Sequence, residues 1–576
     1  MTPLPDQRPV FVQFLKEVGE SFPVQLMLLH LKRNHFLLLF WVLLLGFVTS
    51  SLGNLMGIHY LFLDPEYLNE VGWLSLSLVG FAFGIFIMAF HMVSYILYAH
   101  RYSFLGCIGK PFFRFALNNS LLPLIFYIVY MLALLRFRAV SGSEPMMTTL
   151  AYIFSFTMGM MISVWLIFIY FNFTNKDIFK YIASSLNKQL KKNVISKVNV
   201  MQRMESAKRN QKHQRIEYYL HYPWKISPVP DPQSYDSHLV LKVFDQNHLN
   251  AVILQLIIIF SLIFLGAFKQ VEGLQLPAAA SVMLIFSFFS MVIGAITYWL
   301  REWAIPVMVM LLIGANVVVS NGWIDNHYKA FGLDYSVAPA EYSLKTLSTI
   351  TADQNFSADR EKGLEILGKW HKKQENTKPK LIVLSLSGGG QRAALWSFNA
   401  LSKIDSMLGG QLMRHTVLIT GASGGLVGGA LYRELYLRYG SNVNATVAEN
   451  YYEKLSRDLL NPIIFSIAVG DNIYSLSSFD YAGHTYRQDR GYAFEQKLLS
   501  NVDFVLDKKL SDYAEPESNA EIPMLLINPT IVNDGRKLYL SPVPVSYMCK
   551  SSIFASRAND YKIRGIEFNR MFAKQG

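Results

Sequence analysis

Seven stretches without a single Asp, Glu, Lys or Arg, each close to the length of a bilayer crossing, constrain this chain more than any other feature. They fall near 36–57, 72–98, 116–135, 147–171, 251–268, 277–300 and 304–320. Lipid offers backbone amides no partner, so a spanning segment must be a helix of roughly 20 mostly apolar residues. A soluble protein would have to bury seven such segments within 320 residues, whereas the helices of globular proteins keep a polar face. About seven transmembrane helices are therefore expected. Trp73, Trp299, Trp303 and Trp323 stand near their ends, where amphipathic rings prefer the headgroup region.

Charge is distributed to match. The chain is 52% hydrophobic and 16% charged, yet its stretch 176–215 carries eleven Lys or Arg against two acidic residues. The positive-inside rule places this polar insertion, 172–248, in the cytoplasm. Its basic face also suits anionic lipid headgroups, while no nucleic-acid-binding fold accompanies it. The N-terminus then lies inside as well, in agreement with Lys16, Lys32 and Arg33 before the first span and Asp64, Glu66 and Glu70 after it. Some 35 residues precede that span, which is too long for a signal's apolar region, so it is expected to stay as an anchor. Ionisable residues are nearly absent from the spans, whereas transporters line their pathways with them. His91 is the exception, and it reads as a packed or interfacial residue. The two cysteines, Cys107 and Cys549, support neither a disulfide framework nor a cysteine-based metal site.

At 576 residues the chain exceeds what one core organises, and a second domain is expected. Residues 321–379 read as a polar linker with a helix around 359–373. After it the pattern changes to that of an α/β domain. "LIVLSL" (381–386) suits a buried strand, "SGGG" (387–390) a turn, and 391–408 a helix. "HTVLITG" (415–421) is a second strand, 424–440 a second helix, and "MLLIN" (524–528) a later strand. Strands alternating with helices imply a mainly parallel sheet covered on both faces.

"LITGASGGLVGG" (418–429) could cradle phosphates or raise a nucleophile. A dinucleotide fingerprint requires G-x-G-x-x-G, and Gly421, Gly424 and Gly425 miss that spacing. A short-chain dehydrogenase loop fits Thr420, Gly421 and Gly425, but Val427 stands where its last glycine belongs and no Tyr-x-x-x-Lys follows. A P-loop lacks its Gly-Lys-Ser/Thr. Gly421-Ala422-Ser423-Gly424-Gly425, by contrast, meets G-x-S-x-G with a strand before it and a helix after it, the context of a nucleophile elbow. The serine also needs oxyanion donors. Gly388, Gly389 and Gly390 supply a backbone that can approach a substrate, at the start of a helix whose N–H groups point the same way. The base is less evident. His484 is the only histidine after Ser423 and lacks a strand–loop context, so a carboxylate acting directly on the serine is the better fit.

With these residues in view, 380–576 resembles the patatin-like phospholipases, which share a serine–aspartate dyad with the cytosolic phospholipases A2. Gly388-Gly389-Gly390-x-Arg392 resembles that family's oxyanion-hole motif, and Gly421-x-Ser423-x-Gly425 its elbow. The resemblance implies a three-layer α/β/α fold and metal-free, cofactor-free hydrolysis of fatty acyl esters, with Ser423 attacking and Arg392 assisting the glycine N–H groups. It also implies an aspartate in Asp-Gly-Gly or Asp-Gly-Ala. The only Asp-Gly after Ser423 is Asp534-Gly535, followed by Arg536, in a context that looks like a strand-and-turn element ahead of the dyad aspartate. Either the domain is cut short at its C-terminus or Asp534 acts in an altered motif.

The sequence thus implies a membrane α-helical bundle (1–320), a linker (321–379) and a patatin-like α/β domain (380–576), in the cytoplasmic membrane of a bacterium. The side of 321–576 is left open. The expected activity is cleavage of phospholipid or other lipid acyl esters. The alternative is a catalytically inactive patatin-like domain in a membrane sensor or scaffold.

Overall fold

The computed structural model describes residues 17–174, 216–230 and 237–575, apart from 103, 106–107, 142–144, 270, 322–328, 376–377, 444, 472–476 and 550–562. The basic segment 176–215, Cys107 and Trp323 lie outside the described residues. The chain divides into two compact units. The first comprises Met1–His327 with Leu460–Ser477, and the second Tyr328–Leu459 with Ser478–Gly576.

The first unit contains α1 (Phe22–Arg33), α2 (His35–Val48), α3 (Trp73–Tyr98), α4 (Pro111–Asn118), α5 (Leu121–Ser141), α6 (Met146–Thr174), α7 (Ser237–Ala267), α8 (Ala278–Leu300) and α9 (Ala304–Ser320). Among the described residues, four helices are long and apolar enough to cross a membrane: Trp73–Arg101, Leu121–Ser141, Met146–Asn172 and Ala278–Leu300. Of the seven expected spans these four are met as single long helices, and the bent α1–α2 pair makes a fifth if it counts as one span. The stretch 36–57 is not one rod. The α1–α2 pair bends by 101° at Asn34, and after Val48 the chain turns through Gly53 and Gly57, both left-handed with φ near 70°. Two further apolar stretches, Val252–Ala267 within α7 and Ala304–Ser320, are shorter. Large apolar side chains stay exposed around the bundle, including Leu132, Phe154, Trp165 and Leu312, a surface suited to lipid rather than water. Trp73, Trp299 and Trp303 are exposed near helix ends.

At the centre stands α3, with 78% of its apolar window buried against 28% for the window in α6. These two helices meet backbone to backbone. A Cβ on Gly80 would lie 2.0 Å from the Phe156 carbonyl oxygen, and one on Gly159 2.0 Å from that of Ser77. Small residues at these turns permit the approach, which gains packing contacts where lipid removes the hydrophobic drive between helices.

His91 is not alone. Its Nδ1 accepts from Asn119 Nδ2 at 3.2 Å, Asn119 Oδ1 lies 2.7 Å from His30 Nε2, and His30 Nδ1 lies 2.8 Å from Asn34 Nδ2. The Tyr98 hydroxyl donates to Asn34 Oδ1 at 2.8 Å. The two asparagine amides fix both rings as neutral tautomers in a buried chain of bonds that fastens the α1–α2 break, α3 and the α4–α5 junction together.

Leu460–Ser477, though far along the sequence, belongs to this unit. Phe465, Ala468 and Val469 enter its core. Asn461 Oδ1 accepts from the Ala278 N–H at 2.7 Å, capping α8, and its Nδ2 donates to the Glu66 carbonyl at 2.6 Å.

The second unit is built on β1 (Ile382–Leu386), β2 (Thr416–Gly421) and β3 (Met524–Ile527), all parallel with β2 in the middle. Its described helices include α10 (Asp353–Lys372), α11 (Gly390–Met407), α12 (Ser423–Tyr439) and α13 (Ala445–Ser456). Alternate strand residues face opposite ways. Leu384, Ile419 and Leu525 pack with Phe398 and Leu401 of α11 and Leu431 and Leu435 of α12. Leu418 and Leu526 pack instead with Ile366 of α10. Beyond β3 the chain forms a hairpin into β4 (Lys537–Tyr539), which pairs in parallel with β5 (Gly565–Glu567).

Replacing Asn119 with leucine removes partners from both buried histidines. Unsatisfied buried groups cost about 1–3 kcal/mol each, so Asn119→Leu is expected to lower the thermal midpoint of the detergent-solubilised protein. An unchanged midpoint would show that the network does not fasten these helices.

Candidate active site

The site is set by strand register. Leu386, the last residue of β1, pairs with Gly421, the last of β2, and Gly421 pairs in turn with Ile527 of β3. The two glycine-rich turns therefore leave adjacent strands at the same level, and the Ala422 N–H donates to the Leu386 carbonyl at 3.1 Å. A Cβ on Gly388 would lie 3.3 Å from Cβ of Ser423. The structure thus brings Gly388, Gly421 and Ser423 together.

Ser423 opens α12 with φ at +52°. Left-handed backbone costs an L-residue about 1–2 kcal/mol, and the cost is sustained because α12 is seated from below. A Cβ on Gly424 would stand 1.8 Å from the Gly390 carbonyl oxygen, and one on Gly425 2.1 Å from that of Ser387. No larger residue fits at either position, so the helix starts hard against the first turn and leaves the Ser423 side chain exposed.

Gly389 and Gly390 have φ of +149° and +64°, which glycine alone adopts freely. They begin α11, so the N-terminal ends of α11 and α12 converge beside Ser423. Both carry unpaired N–H groups and partial positive charge, an arrangement that favours an anion. Arg392 is exposed on the first turn of α11.

Buried polar contacts hold this geometry from behind. Arg433 of α12 pairs with Glu517 and donates from Nε to the Pro523 carbonyl at 2.7 Å, and Glu517 Oε1 accepts from the Leu525 N–H at 3.0 Å. This ties α12 to the entry of β3. Burial pushes the Glu517 carboxyl up to about 7, against the pull of the Arg433 guanidinium. The Tyr432 hydroxyl donates to Asp405 at 2.6 Å and fastens α12 to α11.

Asp534 sits in the turn of the hairpin after β3, exposed. It accepts from the Arg536 N–H at 3.0 Å and the Tyr342 hydroxyl at 2.8 Å, and pairs with the Arg536 guanidinium. Of these contacts the Arg536 N–H does most to hold its carboxyl below the usual range, which weakens it as a base. Among the described residues no side chain hydrogen-bonds Ser423 Oγ. His484 lies in a separate hairpin, 3.7 Å from Asp334. A cleft of about 740 Å³ opens on the opposite face of the sheet, lined in part by Leu364, Leu367, Leu381 and Val383, and Ser423 does not reach it.

Two features escaped the sequence reading. Gly424, Gly425 and Gly428 form the helix face that meets α11, a signal present in their spacing of one face per turn. Gln391 Nε2 meets the Leu455, Ser456 and Arg457 carbonyls at the end of α13 and just beyond it, a contact for which no sequence pattern exists. No family model matches the chain, nor does any curated protein or solved structure.

Two substitutions test the elbow. Ser423→Gly relieves the left-handed strain and is expected to raise stability by about 0.5–1 kcal/mol after glycine's added unfolded freedom is subtracted. Gly424→Ala forces α12 off Gly390 and is expected to lower it by about 1–3 kcal/mol. Chemical denaturation measures both. The opposite signs would show that the helix is not held as described.

Proposed function

We propose that the chain is a membrane-anchored serine acyl hydrolase of the patatin type that cleaves phospholipid or another lipid acyl ester. The observation that carries this reading is Ser423, exposed on a left-handed elbow at the point where two helix N-termini converge. Such strain persists mainly where function requires it, and the convergent donors suit a developing oxyanion. In this reading Ser423 Oγ attacks the ester carbonyl carbon as a base takes its proton. The N–H groups at Gly388–Gly390 hold the oxyanion with help from Arg392. Collapse breaks the ester C–O bond, the alcohol leaves with a proton, and water then cleaves the acyl-serine to release the fatty acid. The membrane helices supply proximity to lipid.

The partners of Asp534 favour a second reading, in which the same turns bind an acyl ester without turning it over and the protein serves as a sensor or scaffold. Fatty acid release from phospholipid vesicles separates the two. The hydrolase reading expects release by wild type and loss in both Ser423→Ala and Gly389→Val, the latter because a β-branched residue cannot adopt φ of +149°. Absence of release by wild type supports the sensor, and release that survives Gly389→Val removes 388–390 from the oxyanion site.

Sidedness follows from the same proposal. Arg101, Lys110 and Arg114 follow the C-terminal end of α3 in sequence and Arg33 joins that end in space, its carbonyl accepting from the Tyr98 hydroxyl at 3.5 Å, while Asp64, Glu66 and Glu70 precede the N-terminal end of α3. The positive-inside rule puts the basic end in the cytoplasm. The chain at Asn461 binds Glu66, so Asn461 and the acidic end of α3 are expected on the non-cytoplasmic side. A cysteine introduced at the exposed Glu70 should react with an impermeant maleimide in intact cells, and protection until lysis would reverse the orientation.

A further inference from the structure

The cleft of about 740 Å³ across the sheet from Ser423 is lined wholly by residues of the second unit. Strand alternation makes it apolar. Leu384, Ile419 and Leu525 point toward α11 and α12, so Leu381, Val383, Leu418 and Leu526 point the other way, toward α10. That helix covers its face of the sheet unevenly. Leu526 on β3 is buried, whereas Val383 on the edge strand β1 is 50% exposed and Leu381, just before it, 49%. Leu364 and Leu367 of α10 line the same cleft and are 55% and 36% exposed. Apolar side chains left wet on both walls of one trough favour an apolar occupant.

The trough has a length and a charge. Arg360, Leu364, Leu367 and Trp370 recur at the spacing of one helix face, and Lys373 continues it. At 1.5 Å per residue the wall from Arg360 to Lys373 is about 20 Å long. An acyl tail spans half of a hydrocarbon core of about 30 Å, so one tail fits along it, and the volume lies within the roughly 300–1,000 Å³ of small-molecule sites. Three cations, Arg360, Lys373 and Arg414, line the cleft against one carboxylate, Glu521, a balance that favours an anion. Arg414 already pairs with Glu375, and Lys373 donates to the Asn519 and Ala520 carbonyls. Arg360, by contrast, makes no ion pair or hydrogen bond among the described residues. One turn along, a Cβ on Gly363 would lie 3.2 Å from the Tyr547 hydroxyl oxygen, and that hydroxyl also has no hydrogen-bond partner among the described residues. The Arg360 end therefore offers an unpaired guanidinium and an unpaired hydroxyl together.

We propose that this cleft binds one long-chain fatty acid, with its tail along Leu364, Leu367, Leu381 and Val383 and its carboxylate at Arg360 and Tyr547. The site is separate from Ser423 and does not rest on the hydrolase reading. Occupancy covers the apolar side chains of an edge strand, which otherwise invite association with another chain. A guanidinium at the end of an apolar trough holds an ionised carboxylate by charge-assisted hydrogen bonds and so selects it over an alcohol of equal length.

The test uses the full chain in phosphatidylethanolamine and phosphatidylglycerol nanodiscs, a diazirine-bearing palmitate as probe, and mass mapping of the adducts after illumination. Adducts are expected within 360–373 and 381–383, displaced by unlabelled palmitate and about tenfold less readily by hexadecanol. Arg360→Glu is expected to lower labelling of these segments about tenfold or more, while Arg360→Lys keeps the charge and most of the labelling. Gly363→Leu fills the space beside Tyr547 and is expected to block the site. Arg360 is exposed, so its variants leave the fold intact, and labelling of the membrane helices by the same probe should stay constant throughout. Ser423→Ala is expected to label as wild type does. Loss of cleft labelling in that variant would show that the site is not separate from the serine and overturn the proposal. Absence of adducts at 360–373 and 381–383 in wild type overturns it, as does labelling that neither Arg360→Glu nor Gly363→Leu reduces. A disulfide between two chains carrying Leu381→Cys, formed in place of palmitate labelling, would assign the face to a second copy and overturn it also. If wild type releases no fatty acid from phospholipid, the hydrolase reading fails and the labelling alone decides the cleft.

Discussion

The placement of Ser423 depends on a backbone contact that no side chain could replace. With Gly424 against the Gly390 carbonyl and Gly425 against that of Ser387, α12 begins at the only height that sets Ser423 beside Gly388. Parallel pairing of β1 with β2 then aligns the two turns. Strain at Ser423, convergence of two helix N-termini and exposure of the hydroxyl follow from that one approach. The buried Arg433–Glu517 pair and the Tyr432–Asp405 bond keep it from relaxing, since removing one member of a buried ion pair leaves the other charge stranded.

The membrane unit uses the same device for a different end. Gly80 and Gly159 bring α3 and α6 into backbone contact, and side-chain amides fasten what remains polar. Asn34 and Asn119 bridge the helix breaks, while Asn461 caps α8 from a distance of 183 residues. In each case an amide serves because it offers donor and acceptor at once, so one side chain can satisfy two elements in a place without water.

Much of the second unit was legible in the sequence. Short apolar runs identified all three strands of the parallel sheet, the first two by ending in glycine turns, and Gly389 and Gly421 marked turns that larger residues cannot make. The spans were legible in composition, but the break in the first was not, because Asn34, Gly53 and Gly57 interrupt an apolar run without adding charge to it. "LNPIIFSIAVG" (460–470) falls within the α/β domain expected at 380–576 because its length is half a span, and only its packing places it among membrane helices. His91 read as a packed or interfacial residue and its bonds were not foreseen, since its partners Asn119 and Ser120 arrive from 28 and 29 positions away. Gln391 and Arg433 act on groups more than 60 positions distant, a separation at which sequence carries no pattern.

The central claim is that Ser423 is an activated nucleophile and not merely an exposed helix-start serine. Incubation of the membrane-embedded protein with a fluorophosphonate, followed by mass mapping of the adduct, tests it most directly. The account predicts one phosphonyl group, on Ser423, formed in wild type and absent after heat unfolding. An unmodified Ser423, or modification scattered over surface serines and unaffected by unfolding, would contradict it.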